Sequence, residues 1–172
     1  MILGIDPGLD GAMSWIGGEP PIIHPMPTLS YEHASKKRKN GKPAIKRSLN
    51  LEEIRDILEV MKSKTEHAYI EKAISMPEHG AVGSMQIGDG YGALRMALTY
   101  ARIPYTEVHP ATWKAKMLRG MGKGKKASIL RAKQCFPEIT LKNSEDGKAE
   151  AMLIAEYGRR ILHYQEKFEN EQ

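Results

Sequence analysis

Disulfide bonding within the chain is excluded at once, because its 172 residues include a single cysteine, Cys135. Such sparing use fits a reducing compartment, and Cys135, just before Phe136 and Pro137, reads as a packing residue. No apolar run approaches the roughly 20 residues of a membrane-crossing helix, so no membrane partner is expected. Ten prolines and 16 glycines are an ordinary share, which rules out collagen-like and low-complexity architectures. No internal repeat is visible. A strand-like run starts at Ile2, so we expect neither a signal nor a transit peptide, and a cytoplasmic protein. The most telling absence is of one charge sign. No acidic residue falls between Val108 and Pro137, while Lys114, Lys116, Arg119, Lys123, Lys125, Lys126, Arg131 and Lys133 do.

What is present bounds the class. A chain of this length, 41% hydrophobic, suits one domain with its own core over residues 1–172. A net charge of +5 and a pI near 9.2 favour an acidic partner such as nucleic acid, and the clustering of the charge says more than its total. Strand-like runs cover Ile2–Asp6, Ala12–Ile16 and 21–24, joined by glycine-bearing turns. Residues 25–49 hold Lys36, Lys37, Arg38, Lys39, Lys42, Lys46 and Arg47 with no apolar period. They read as a mobile basic loop at about 30–49, or as a solvated linker. Asn50, with Glu53 three residues on, marks a helix start, and Leu51, Ile54, Leu58 and Met61 continue it at helical spacing. A fourth strand is expected at His67–Glu71 and a fifth at 104–109, with a loop over 77–83 and a helix over 84–101 between them. Short helices follow over 112–118 and 126–135, and a long one runs from a cap at Ser144 to about Glu166. The order predicts an α/β fold: a mixed five-stranded sheet, three strands antiparallel and then two parallel, flanked by helices.

Acidic residues punctuate this plan. Asp6 ends the first strand, before Pro7 and Gly8, and Glu71 ends the fourth. If these strands pair in parallel, the two carboxylates lie side by side. Asp146 and Glu150 are four residues apart, on one helical face. Like charges gathered so closely repel, and one would keep its proton. A divalent cation removes the conflict. Mg²⁺ takes oxygen ligands and keeps several waters, so a few carboxylates and a phosphate suffice. Two such ions, about 3.5–4 Å apart, clamp the attacking and leaving oxygens of a phosphoryl displacement. Each residue also has an ordinary explanation. Asp6 could start a turn, Glu71 could pair with Lys72, and Asp146 could favour a helix N-terminus. Glu150 lies within an apolar stripe between Ala149 and Ala151, where an unpartnered acid is costly. Trp113 reads as a core residue rather than a stacking platform.

These segments resemble the motifs of the RuvC-like Holliday junction resolvases, which have an RNase H-like fold. Ile2-Leu3-Gly4-Ile5-Asp6-Pro7-Gly8 is similar to the first motif, and Tyr69-Ile70-Glu71-Lys72 to the second. Gly88-Asp89-Gly90-Tyr91-Gly92-Ala93-Leu94 resembles the glycine-bearing helix, and Val108–Lys114 with Gly120–Lys126 the basic segment. Asp146–Leu153 resembles the last motif. The likeness implies a homodimeric, Mg²⁺-dependent endonuclease, with Mn²⁺ able to substitute, that nicks four-way DNA junctions symmetrically. It implies metal ligation by Asp6, Glu71 and Glu150, with Asp146 standing in for a fourth acid that the family places one residue later. Lys126 and Lys114 would assist at the scissile phosphate, and Lys116, Arg119, Lys123 and Lys125 would hold flanking backbone. Ile74 and Met76 match a wedge at the junction centre, or else anchor their loop. The large basic loop resembles bacteriophage relatives. A non-cutting branched-DNA binder and a ribonuclease H remain alternatives; a two-lobed ATPase does not, because the chain is too short.

Overall fold

Side chains alternate faces along an extended strand, and the first strand, β1 (Ile2–Asp6), sorts its residues into two cores. Ile2 enters one, and Leu3 and Ile5 the other. The structure, a computed structural model, describes residues 1–37, 39–122 and 124–170, with the backbone alone at 33–36, 125 and 165–170. Antiparallel β2 (Ala12–Ile16) and β3 (Ile22–Pro25) extend β1 on one side. On its other side lie parallel β6 (His67–Glu71) and β7 (Tyr105–Val108). The five strands run β3-β2-β1-β6-β7, which is the mixed α/β sheet that the sequence predicts.

One face carries α1 (Leu51–Met61) and α2 (Gly80–Tyr100), whose Ile54, Leu58, Leu94 and Leu98 meet Leu3, Ile5, Met13 and Trp15. Asn50 caps α1 as expected: its Oδ1 accepts from the Glu53 amide at 3.4 Å, and its Nδ2 donates to Glu53 Oε2 at 2.9 Å. The opposite face carries α5 (Asp146–Asn170), overlaid by α3 (Pro110–Met117) and α4 (Lys125–Cys135). Ala151 through Gly158 are all buried, a wider band than the predicted stripe, because α5 is enclosed between the sheet and the outer helices. Glu156, buried within that band, is neutralised by Arg159 and Arg160 at 2.7 and 2.8 Å.

Two expectations are corrected. Residues 25–49 are not a loop: β4 (Thr28–Lys37) and β5 (Pro43–Leu49) pair antiparallel as a separate two-stranded sheet. Among its described side chains both faces are exposed or half-exposed, so no core imposes an apolar alternation on its sequence. The segment 80–83, expected as loop, is the first turn of α2. Its glycines have weak helix propensity, and Gly80, Ala81 and Val82 are exposed, so the turn forms as the N-terminal extension of the longer helix.

Candidate active site

The alternation that sends Leu3 and Ile5 to the α1–α2 face sends Ile2, Gly4 and Asp6 to the α5 face. On β6 the same rule puts Ala68 and Ile70 on the former, and Tyr69 and Glu71 on the latter. Ile5 pairs with Ile70 in the parallel ladder, so Asp6 and Glu71 leave neighbouring strand ends toward α5. Two close approaches bring α5 down to meet them. A Cβ on Gly4 would lie 2.1 Å from the Ala151 carbonyl oxygen, and one on Gly147 would lie 2.1 Å from the Asp10 carbonyl oxygen. Only glycine fits at either position. The first turn of α5 therefore rests on the turn after Asp6, and Glu150 projects from the turn above it.

The three carboxylates form one electrostatic unit. Burial pushes the Asp6 pKa up to about 7, against a 3.3 Å bond from the Gly8 amide; Glu150 and Glu71 raise it further and Lys114 lowers it. Burial also raises the pKa of Glu71, which accepts a 2.6 Å bond from Trp113 Nε1 and faces Lys114 and Glu150. Glu150 accepts from Ser128 Oγ at 2.9 Å and pairs with Lys114 Nζ at 3.0 Å. Burial pulls the Lys114 pKa down, but Glu150, Glu71 and Asp6 outweigh it and the net shift is upward. The Lys114 ammonium also lies 5.1 Å from the Trp113 ring centre.

This donor set fits a hard divalent cation. Three carboxylates against one ammonium leave two negative charges when all are ionised, and oxygen is the ligand such ions prefer. Among the described residues no three acids, histidines or cysteines are drawn together tightly enough to coordinate an ion. Lys114 stands among the carboxylates and serves as their counter-charge.

The other predicted residues are placed as follows. Asp146 opens α5 one turn before Glu150, and is not among the strongest charges acting on Asp6, Glu71 or Lys114. Lys126 is exposed on the first turn of α4, two residues from Ser128 and so on the opposite side of the helix. Lys116 lies over the Tyr157 ring at 5.6 Å. Arg119 is exposed, and its carbonyl accepts from Arg131 at 2.9 Å. Lys123 lies outside the described residues, as does the Lys125 side chain. Ile74 and Met76 are 41% and 50% exposed before α2, so neither anchors the loop in the core. Trp113 is fully buried, as expected of a core residue. Its bond to Glu71, and that of Ser128 to Glu150, went unforeseen. No local spacing announces a contact between residues 42 or 22 positions apart.

Neither a protein-family model nor a curated protein sequence matches the chain. Solved structures do. The Thermus thermophilus RuvC structure is similar over 93% of this chain and 95% of its own, at 15% identity and a TM-score of 0.55. T. thermophilus RuvC in complex with a Holliday junction substrate gives 93% and 94% coverage, 14% identity and a TM-score of 0.58. The yeast mitochondrial Holliday junction resolvase covers 99% of this chain with 84% of its own, at 12% identity and a TM-score of 0.45. With a five-stranded mixed sheet between helices and near-complete coverage by RuvC, the chain has the RuvC-like form of the RNase H-like fold.

Proposed function

We propose that this protein is a structure-selective endodeoxyribonuclease that nicks four-way junctions and related branched DNA by metal-assisted phosphodiester hydrolysis. The observation that carries the proposal is the gathering of Asp6, Glu71 and Glu150 around Lys114 at the ends of two parallel strands. The fold it shares with RuvC, which has been solved on a Holliday junction substrate, supports the choice of DNA.

Asp6, Glu71 and Glu150 would hold Mg²⁺, or Mn²⁺ in its place, and Asp146 is near enough in sequence to join a second ion. When bound, such ions activate the attacking water and stabilise the leaving 3′ oxygen. The chain's own groups do the rest. Trp113 fixes the Glu71 carboxylate, and Ser128 fixes that of Glu150. Lys114, released from Glu150, neutralises charge on the scissile phosphate. Lys116, Arg119 and Lys126 hold the flanking backbone, which positions DNA without reading its sequence. Ile74 and Met76 are free to enter an open junction centre.

Paired nicks need two pockets, hence a homodimer. Helix α2 supports one: Val82, Met85, Met96 and Tyr100 are 62–78% exposed along it, an apolar surface of the kind that marks an interface. The test is a cleavage panel of four-way junction, flap, linear duplex, single strand and RNA–DNA hybrid, with Mg²⁺ and with chelator. We expect paired nicks in the junction only with the ion present. Asp6→Asn should still bind the junction and cut at least about 10³-fold more slowly. Equal cutting by Asp6→Asn, or preference for the hybrid, would overturn the proposal.

A further inference from the structure

We propose that the β4–β5 ribbon is a second DNA-binding element that grips a duplex arm of the branched substrate beside the cutting pocket; this rests on the nuclease proposal above. The charge distribution is the first argument. Residues 28–49 contain seven Lys and Arg and one acid, Glu32, whereas the rest of the chain has 19 Lys and Arg against 20 Asp and Glu. The net positive charge of the whole protein resides in this ribbon.

Its construction is the second argument. A two-stranded sheet is marginal on its own, and this one exposes about half of Leu29, Tyr31 and Ile45. Tyr31 and Lys46 are direct partners in the ladder, so an aromatic ring and an ammonium stand together on one face. Lys37, Lys39, Lys42 and Lys46 have no carboxylate partner among the described residues. A two-stranded ribbon is one of the shapes that the DNA major groove admits, and ten-residue β4 reaches roughly 30 Å.

The base of the ribbon fixes where that charge is delivered. Arg47 donates to Asp10 Oδ1 and to the Leu9 carbonyl, each at 2.6 Å. The Met26 amide donates to the Gly11 carbonyl, and the Asn50 amide to the Pro27 carbonyl, both at 2.9 Å. Leu49 packs against α2 at Gly90. The ribbon is thus clamped to the same Asp6–Gly11 turn that seats the first turn of α5. Arg47 is occupied in this clamp, whereas Lys37, Lys39 and Lys42 are exposed and Lys46 is half-exposed.

The test uses the full chain in an Asp6→Asn background, expected to bind and to cut far more slowly, and a four-way junction with long arms. Binding is measured between 50 and 200 mM salt for the parent, for Lys39→Ala/Lys42→Ala/Lys46→Ala, and for the same three positions changed to Arg. The Ala triple should bind at least tenfold more weakly. Its slope of log affinity against log salt should fall by about three, since each phosphate contact contributes about 0.9. The Arg triple should keep both values. If the Ala triple matches the parent in affinity and slope, the ribbon proposal is overturned and the nuclease proposal stands. If the parent itself binds no branched DNA, both are overturned.

Discussion

The two tryptophans of this protein are equally buried, on opposite faces of the sheet, and their indoles serve different ends. Trp15 lies on the α1–α2 face and donates to Thr65 Oγ1 at 2.8 Å, which in turn donates to the Met61 carbonyl at 2.8 Å. That chain of bonds is neutral and closes on the backbone. Trp113 lies on the α5 face and donates to Glu71 Oε2 at 2.6 Å. Its acceptor is a carboxylate that faces Lys114 and Glu150. One face satisfies its polar groups and stops there; the other holds acids whose charge is only partly answered from within. A protein under selection for stability alone would resemble the first face throughout.

Substitution of Gly4 should show how much the α5 face depends on close approach. A side chain there meets the backbone of α5 at Ala151 and Ala155, at 2.1 and 2.4 Å, and backbone cannot step aside as a side-chain tip can. Gly4→Val should cost about 3 kcal/mol or more, near the top of the range for overpacking. A shift in urea midpoint with an unchanged m-value would register it; a midpoint within experimental error of the parent would contradict the packing of α5 on β1.

The charge of Asp6 predicts a smaller and pH-dependent effect. Its pKa is about 7 in the folded chain and 3.8 as the ordinary value. Between these values the folded state keeps a proton that the unfolded state has released, so folding stability falls as pH rises from about 4 to 7. A shift of this size corresponds to about 4 kcal/mol, reduced by solvent screening at this half-buried site to about 2. Metal-free Asp6→Asn should therefore melt above the parent at pH 7.5 and level with it near pH 3.5. Added Mg²⁺ should narrow the gap by stabilising the parent. A gap independent of pH would show that Asp6 is not the titrating group.

The two faces also differ in how much of them the sequence announces. The strands β1, β2 and β6 are short apolar runs with clear ends, and the α1 cap is a local pattern, so both are visible in one dimension. Asp6 and Glu71 are visible because they stand where such runs stop. Glu150 is visible as an acid inside an apolar stripe, and its partners Lys114 and Ser128 are the compensation that such a position demands. The bonds themselves are long-range, and nothing local specifies them. The ribbon of residues 28–49 was hidden for a different reason: with both faces wet, its strands carry charge where buried strands carry alternation. The first turn of α2 was hidden by Gly80 and Gly83, whose helix propensity is weak, and by its exposure, which leaves no apolar period to read.

The finest contrast comes from changing each tryptophan to phenylalanine. Both variants lose one hydrogen bond and part of a buried ring, and each should lose about 1–3 kcal/mol of stability. Trp15→Phe leaves Thr65 bonded to the Met61 carbonyl, so its effect should end with stability. Trp113→Phe removes a donor that holds the Glu71 pKa down against burial. That pKa should rise further, and an acid must be deprotonated to take a metal ion. The acid limb of the nicking profile should therefore move to higher pH, and the Mg²⁺ concentration for half-maximal rate should increase, with a rate loss of about tenfold at pH 7. Trp15→Phe, assayed where it is fully folded, should move neither. If both variants shift the limb alike, the effect is one of general packing, and the indole of Trp113 has no particular hold on Glu71.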